Sequence, residues 1–374
     1  MTVVAAAGVV AAGCSSDEPG WVEFDAGRIV GVGRGRPASA TFVDGAVLVP
    51  GFVDIQVNGV GGDDFACAGA HRWLTALHAQ ARHGVTACCP TLVSAPLASY
   101  DEPLAIAAAI ASGDAVAAGN EVGAAVLGVH LEGPFLGGAP GAHVVEHLRP
   151  VDLPWLRALL ARTAGLVRVM TLAPEADTDF SGTRMLCAAG VVVAVGHSTA
   201  TYDETRAAAD AGATVVTHLF NGMGPFNHRN PGVAGAALDD PRLTPSLIAD
   251  LVHVHPAALR LAIGAKRSVA LVTDAVAVGA GTVGVVEMRE RDGAARLADG
   301  TLAGSVLGMD EAVRNVVGLG VPLVRAVEMA ATIPSEILGL SDRGRLEPGR
   351  RADLVALDRE SLHATAVWVG GMRV

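Results

Sequence analysis

Between residues 51 and 273 the chain alternates short apolar runs with Ala-rich stretches, the rhythm of strand followed by helix. The runs fall at residues 51–57, 84–91, 124–131, 166–172, 191–195, 214–219, 246–252 and 269–273. Near-continuous apolar runs suit parallel strands covered on both faces. Eight such units over roughly 250 residues predict an α/β fold of the (β/α)8 TIM-like barrel type. A doubly wound sheet is the alternative, but no glycine fingerprint for a dinucleotide follows the first run.

The two ends have a different pattern. Trp21-Val22-Glu23-Phe24 alternates, Asp25-Ala26-Gly27 turns, and Arg28-Ile29-Val30-Gly31-Val32 returns as the second arm of a hairpin. Near the other end, Ala352-Asp353-Leu354-Val355-Ala356-Leu357 and Ala366-Val367-Trp368-Val369 read as closing strands. The expectation is a small β-sandwich domain made from residues 1–49 and 341–374, with the barrel, residues 50–340, inserted between them. A hairpin-like insertion around residues 285–297, with turns at Asp292-Gly293 and Asp299-Gly300, interrupts the last barrel unit.

Composition narrows the partners. Aromatic residues make up 4% of the chain, so the core is built mainly from Val, Ala and Leu. A formal net charge of −11 argues against nucleic acid, which needs a basic face. An anionic small molecule requires local positive charge at its site. The five cysteines lack C-x-x-C spacing, and an odd number does not suit a disulfide framework. Val9-Val10-Ala11-Ala12-Gly13-Cys14 superficially resembles a lipoprotein cleavage site, but no Lys or Arg precedes it, so a strand and turn are expected there. With no run long enough to span a bilayer, the expectation is a cytoplasmic protein without a membrane partner.

Unusual polar residues gather where the runs end. Gln56 and Asn58 close the first, His130 and Glu132 the third, His197 the fifth, and His218 and Asn221 the sixth. Asp250 and His253 follow the seventh, and Asp274 the eighth. A lone histidine after an apolar run is more often a core or cap residue, and His71, His78, His83 and His363 are left in that class. Barrel sites, however, assemble at the C-terminal ends of strands, so six coincidences at one rim point to convergence. Two imidazoles and a carboxylate are a suitable set for one divalent ion with a position open for water. Asp274 is the candidate to take a proton from that water, and His253 the candidate to polarise an acyl carbonyl as a neutral donor.

The motifs also carry a resemblance. Pro50-Gly51-Phe52-Val53-Asp54, the late Asp274 and Gly349-Arg350-Arg351-Ala352-Asp353-Leu354-Val355 resemble the amidohydrolase superfamily. Four further segments resemble the N-acetylglucosamine-6-phosphate deacetylases within it: His130-Leu131-Glu132-Gly133-Pro134-Phe135, Gly196-His197-Ser198, Thr217-His218-Leu219-Phe220-Asn221-Gly222-Met223 and Leu302-Ala303-Gly304-Ser305. The resemblance implies hydrolysis of N-acetyl-D-glucosamine 6-phosphate to D-glucosamine 6-phosphate and acetate. It implies one divalent metal on Glu132, His197 and His218, zinc first, with iron, manganese or cobalt accepted by the same donors. It makes Asp274 the catalytic acid/base and His253 the carbonyl-polarising, substrate-binding histidine. Ala142, His143, Asn221 and Gly222 then line the sugar-phosphate site, Ser305, Val306 and Leu307 pack on the acetyl group, and Arg229 reaches in from a neighbouring subunit. That last role implies a homodimer or homotetramer.

Three departures qualify the implied chemistry. Many superfamily members open with His-x-His, which holds a second metal; Gln56 and Asn58 stand there instead, and a single metal is expected. The loop Leu136-Gly137-Gly138-Ala139-Pro140-Gly141 lacks basic residues found in some relatives. Leu251 stands where many relatives have Gly, with a shift of His253 as the expected consequence. The competing functions are hydrolysis of another N-acyl-amine, such as N-acetylgalactosamine 6-phosphate or an N-acyl-amino acid, and a non-catalytic barrel module. For His143, His147, Arg149, His228 and Arg229 the alternative to a substrate role is a solvated charged face.

Overall fold

The computed structural model describes residues 1–67, 69–113, 123–278 and 288–374, with the backbone of 282–283 and 286–287. Eight parallel strands pair in chain order: Phe52–Val57, Val85–Val93, Val129–Glu132, Val167–Leu172, Val192–Val195, Val215–Val216, Thr244–Ile248 and Ala270–Val272. Burial on both faces explains their unbroken apolar sequence: every residue of Phe52–Val57, and all but the last of Val85–Val93, is buried. The helices Ala70–Arg82, Asp101–Ala111, Leu153–Thr163, Ser181–Ala188, Tyr202–Asp210, Gly232–Asp239, Pro256–Ala265 and Met309–Gly318 lie between and after the strands. Their buried sides are largely small, such as Thr205, Ala208 and Ala209 on Tyr202–Asp210. That helix begins with a capping box, Thr201 and Glu204 satisfying each other's backbone N–H groups.

A polar belt crosses the barrel interior below the rim. His130 Nδ1 bonds Ile55 O at 3.1 Å, its Nε2 faces Thr171 Oγ1 at 2.7 Å, and Thr171 Oγ1 meets Thr217 Oγ1 at 2.7 Å. Burial pushes the His130 imidazole down to about 4, so it stays neutral and fully hydrogen-bonded. Gly196 passes beside this belt so closely that a Cβ would lie 2.7 Å from Thr171 Cγ2 and 2.9 Å from Thr217 Cβ.

The ends of the chain share one seven-stranded sheet, in which Thr41–Pro50 lies between Thr2–Val9 and Leu354–Asp358. The sheet folds back on itself: Ile29 N–H reaches Arg350 O at 2.8 Å and Ala352 N–H reaches Gly27 O at 2.8 Å. The layered packing expected of a sandwich therefore comes from one continuous ladder around a core that includes Val22, Phe24, Leu48, Leu354 and Trp368. Of the expected insertion, Val285 lies outside the described residues. The strands Arg289–Arg291, Ala294–Arg296 and Leu302–Ser305 form an antiparallel sheet with turns at both predicted places. No helix among the described residues is long and apolar enough to cross a membrane.

Candidate active site

Of the polar side chains singled out at strand ends, most sit at the same rim, while His130 belongs to the belt below it. A cavity of about 450 Å³ opens there, and its lining includes Asn58, Glu132, His197, His218, His253 and Asp274. The chain leaves the strands by sharp turns: His197, His218 and Asp274 take φ of +50°, +30° and +47°. Such left-handed conformations are costly for residues other than glycine and persist where surrounding bonds impose them.

Glu132 is the centre of the cluster. Its Oε1 lies 3.0 Å from His197 Nε2 and 2.9 Å from His218 Nε2, while the two Nε2 atoms are 3.1 Å apart. His197 Nδ1 is bonded to Ala139 O at 3.1 Å and His218 Nδ1 to Asn221 O at 3.1 Å. Those carbonyl partners assign the ring protons to Nδ1 and leave both Nε2 lone pairs facing each other. Two facing lone pairs and a carboxylate oxygen repel unless a proton or a cation lies among them. This donor set fits a divalent cation. Burial would raise the Glu132 carboxyl, but the two imidazoles hold it well below the usual carboxylate range. His218 moves the other way: burial lowers it, and the bond to Glu132 more than compensates.

His143 also approaches, and donor atoms of Glu132, His143 and His197 all lie within 4.8 Å of one another. Its Nδ1 accepts from Ser94 N–H at 3.4 Å, which puts the ring proton on Nε2 and makes it a hydrogen-bond donor rather than another ligand. Burial above all pushes it down to about 3.

Gln56 and Asn58 turn their amide groups toward the carboxylates. Gln56 Nε2 donates to Glu132 Oε1 at 3.1 Å and to Asp274 Oδ1 at 3.3 Å; Asn58 Nδ2 donates to Asp274 Oδ1 at 2.8 Å. Asn58 Oδ1 is buried without a partner among the described residues. Burial, with the Glu132 charge second, raises the Asp274 carboxyl to about 6.

His253 differs from the expectation of a neutral donor. Asp250 Oδ2 is 2.6 Å from its Nδ1, so donation from Nε2 requires the doubly protonated ring. Asp250 Oδ1 also accepts the N–H groups of Val252 and His253, at 2.9 and 2.8 Å. Leu251, where glycine was noted in relatives, takes φ +66° and is 39% exposed, so its side chain points out of this turn at a conformational cost.

Of the expected substrate residues, Ala142, His143, Asn221, Gly222 and His253 line the cavity. Gly222, at φ +56°, lies against His197, where a Cβ would come within 2.7 Å of Nδ1. Leu302, Ala303 and Gly304 line the cavity, whereas Ser305, Val306 and Leu307 do not. Ser305 is buried, and its Oγ donates to Thr273 O at 2.5 Å. Arg229 sits on an exposed loop away from the cavity wall of its own chain.

Two residues at this rim escaped the sequence analysis. Arg296, on the antiparallel hairpin, is the one Arg or Lys lining the cavity among the described residues. Glu175, three residues past the fourth strand, accepts from Ser198 Oγ at 2.6 Å, Thr199 N–H at 2.6 Å and Gly138 N–H at 3.3 Å. It ties three rim loops together around His197, whose O accepts from Gly137 N–H at 2.8 Å. The acidic residue in Leu172-Ala173-Pro174-Glu175 was a visible signal; the hairpin arginine gave none.

Comparison with known proteins adds a separate line of observation. The profile of the Amidohydrolase family matches residues 47–374. The N-acetylglucosamine-6-phosphate deacetylase of Bos taurus is 42% identical over 350 residues, covering 87% of this chain and 83% of its own. The N-acetylgalactosamine-6-phosphate deacetylase of Escherichia coli O157:H7 is 39% identical over 368 residues, covering 95% of this chain and 96% of its own. Among solved structures, the N-acetyl-D-glucosamine-6-phosphate deacetylase of Mycobacterium smegmatis, a mutant in complex with N-acetyl-D-glucosamine-6-phosphate, superimposes with a TM-score of 0.89. It is 36% identical, with 100% of this chain and 98% of that one covered.

Proposed function

The chain belongs to the amidohydrolase family, and from that premise we propose that it hydrolyses N-acetyl-D-glucosamine 6-phosphate to D-glucosamine 6-phosphate and acetate. The observation that carries this is the convergence of Glu132 Oε1 with the His197 and His218 Nε2 atoms in a cavity that also holds Asp274 and His253. Glu132, His197 and His218 would hold one divalent cation, zinc first. A water held by those residues' cation would have its pKa lowered from about 15.7 towards about 7 and so be available as a nucleophile near neutral pH.

The chain's own groups do the rest. Asp274 accepts the proton of the attacking water and delivers it to the amine nitrogen as the C–N bond breaks. Gln56 and Asn58 hold that carboxylate by their amide N–H groups. His253, its Nδ1 bonded to Asp250, would donate from Nε2 to the carbonyl oxygen as it gains charge when both ring nitrogens carry a proton. Ala142, His143, Asn221 and Gly222 bound the sugar, and Arg296 offers positive charge to its phosphate in a chain that is otherwise acidic. Arg229 contributes from a neighbouring subunit of a homodimer or homotetramer working in the cytoplasm.

The test is acetate release by metal-loaded protein from N-acetylglucosamine 6-phosphate, N-acetylgalactosamine 6-phosphate and an N-acyl-amino acid. The highest kcat/KM is expected for the first. Preference for the second would reassign the epimer, and silence on all three would remove the proposal.

A further inference from the structure

Asp54 closes the motif that opens the barrel, yet the chemistry above gives it no task. It is 0% exposed, on the first barrel strand and facing the eighth. The eight barrel strands run from the eighth round to the first with no ladder between those two. Across this seam Asp274 N–H reaches Gln56 O at 2.9 Å, and Asn58 N–H reaches Ala275 O at 2.8 Å. Gly59 N–H also reaches Ala275 O at 3.0 Å, Gln56 and Asn58 donate to the Asp274 carboxylate, and the Asp54 carboxylate adds a further side-chain link. Its Oδ2 accepts from Thr273 Oγ1 at 2.5 Å; its Oδ1 accepts from Thr273 N–H at 3.3 Å and Gln56 N–H at 3.2 Å.

Thr273 is thereby gripped on three sides. Its Oγ1 also accepts from Ala275 N–H at 3.2 Å, and its carbonyl accepts from Ser305 Oγ at 2.5 Å. The next residue is Asp274, whose φ of +47° needs surroundings that over-determine it. A buried carboxylate is an expensive group to place in a seam that backbone hydrogen bonds already link. Burial pushes it up to about 7, against the pull of the Thr273 hydroxyl.

We propose that Asp54 is a positioning residue: by gripping Thr273 across the barrel seam, it holds Asp274 in the left-handed turn that presents its carboxylate to the cavity. The inference rests on Asp274 being the proton acceptor proposed above. A purely structural clamp would lower the melting temperature and the folded yield. A positioning clamp also lowers kcat in protein that is folded and metal-loaded, leaving KM and bound metal unchanged.

The experiment compares Thr273→Val, Thr273→Ser, Asp54→Asn and Asp274→Asn in the full-length, metal-replete protein. Thr273→Val and Asp54→Asn should each lower kcat about 10–100-fold, the usual scale for groups that orient an active residue. KM and metal content should stay within about twofold, and Thr273→Ser, which keeps the hydroxyl, should restore kcat to within about threefold of the parent. A crystal structure of Thr273→Val should show Asp274 out of its φ +47° conformation, a readout independent of turnover. Should Asp54→Asn fail to fold, the valine–serine pair decides. Parental kcat in Thr273→Val, or Asp274 unmoved in its crystal structure, overturns the proposal. If Asp274→Asn keeps its turnover, the functional assignment of Asp274 fails; if it is inactive while Thr273→Val is unimpaired, only the positioning role does.

Discussion

Asp250 Oδ2 and His253 Nδ1 lie 2.6 Å apart, and this pair decides what His253 can donate. With Nδ1 committed to the carboxylate, only the doubly protonated ring has a proton on Nε2 for a carbonyl oxygen. Asp250→Asn keeps an acceptor but removes the charge that supports that form. We expect kcat at saturating substrate to fall about tenfold or more, with KM nearly unchanged, because lost carbonyl polarisation acts in the transition state. A kcat within twofold of the parent would show that the ring works in its neutral form.

The raised Asp274 carboxyl makes metal-free protein sensitive to pH in a defined direction. Its folded value is about 6 against an ordinary 3.8, chiefly through burial and then the Glu132 charge, so the folded state holds the proton more tightly. Stability from this group is full below pH 3.8 and is lost as pH rises to about 6. Asp274→Asn cannot titrate. The melting temperature of the metal-free parent, measured relative to that of Asp274→Asn, should therefore drop between pH 4 and 6.5. Adding the cation should reverse the drop, since a nearby positive charge favours the carboxylate. A difference that stays flat with pH would contradict the assignment.

Arg296 and Arg229 make different predictions about where phosphate affinity originates. Arg296 lines the cavity of its own chain, and Arg229 does not. Arg296→Ala should raise KM for N-acetylglucosamine 6-phosphate about 10–100-fold, the scale of charged hydrogen bonds worth roughly 1.5–3 kcal/mol. Arg229→Ala should do the same only if a neighbouring subunit brings it to the phosphate. Unphosphorylated N-acetylglucosamine should be little affected by either. Equal effects on both sugars would exclude phosphate as the contact.

Leu251 tolerates its φ of +66° at a cost that a β-branched side chain would increase. Leu251→Val should lower stability by about 1 kcal/mol in urea denaturation, whereas Leu251→Gly should change it little. Both should keep kcat within about twofold, because the Asp250–His253 bond does not involve this side chain. A large loss of kcat in Leu251→Gly would mean that the leucine itself shapes the turn.

Strand positions were legible because burial on both faces leaves an apolar run in the sequence. Their ends were less so. The run at 214–219 keeps only Val215–Val216 as strand, since His218 and Phe220 turn away at φ +30° and +77°. The run at 246–252 is strand only as far as Ile248, and Leu251 turns in the left-handed region. In both places the apolar pattern continues past the strand because the rim is itself packed, so hydropathy cannot mark where the backbone bends.

The sequence by itself determined the eight-unit rhythm, the position of each polar residue at a strand end, and the residue types that suit a cation. These follow from local chemistry: periodicity, burial and ligand preference are written in neighbouring residues. Only the tertiary structure decided how these groups engage. Glu132 and His218, 86 positions apart, share an oxygen–nitrogen distance of 2.9 Å; Asp54 and Thr273, 219 apart, close the seam that shapes Asp274. Which nitrogen bears a proton, which amide faces a carboxylate and which arginine lines the cavity depend on partners brought together by barrel closure, and no local pattern encodes them.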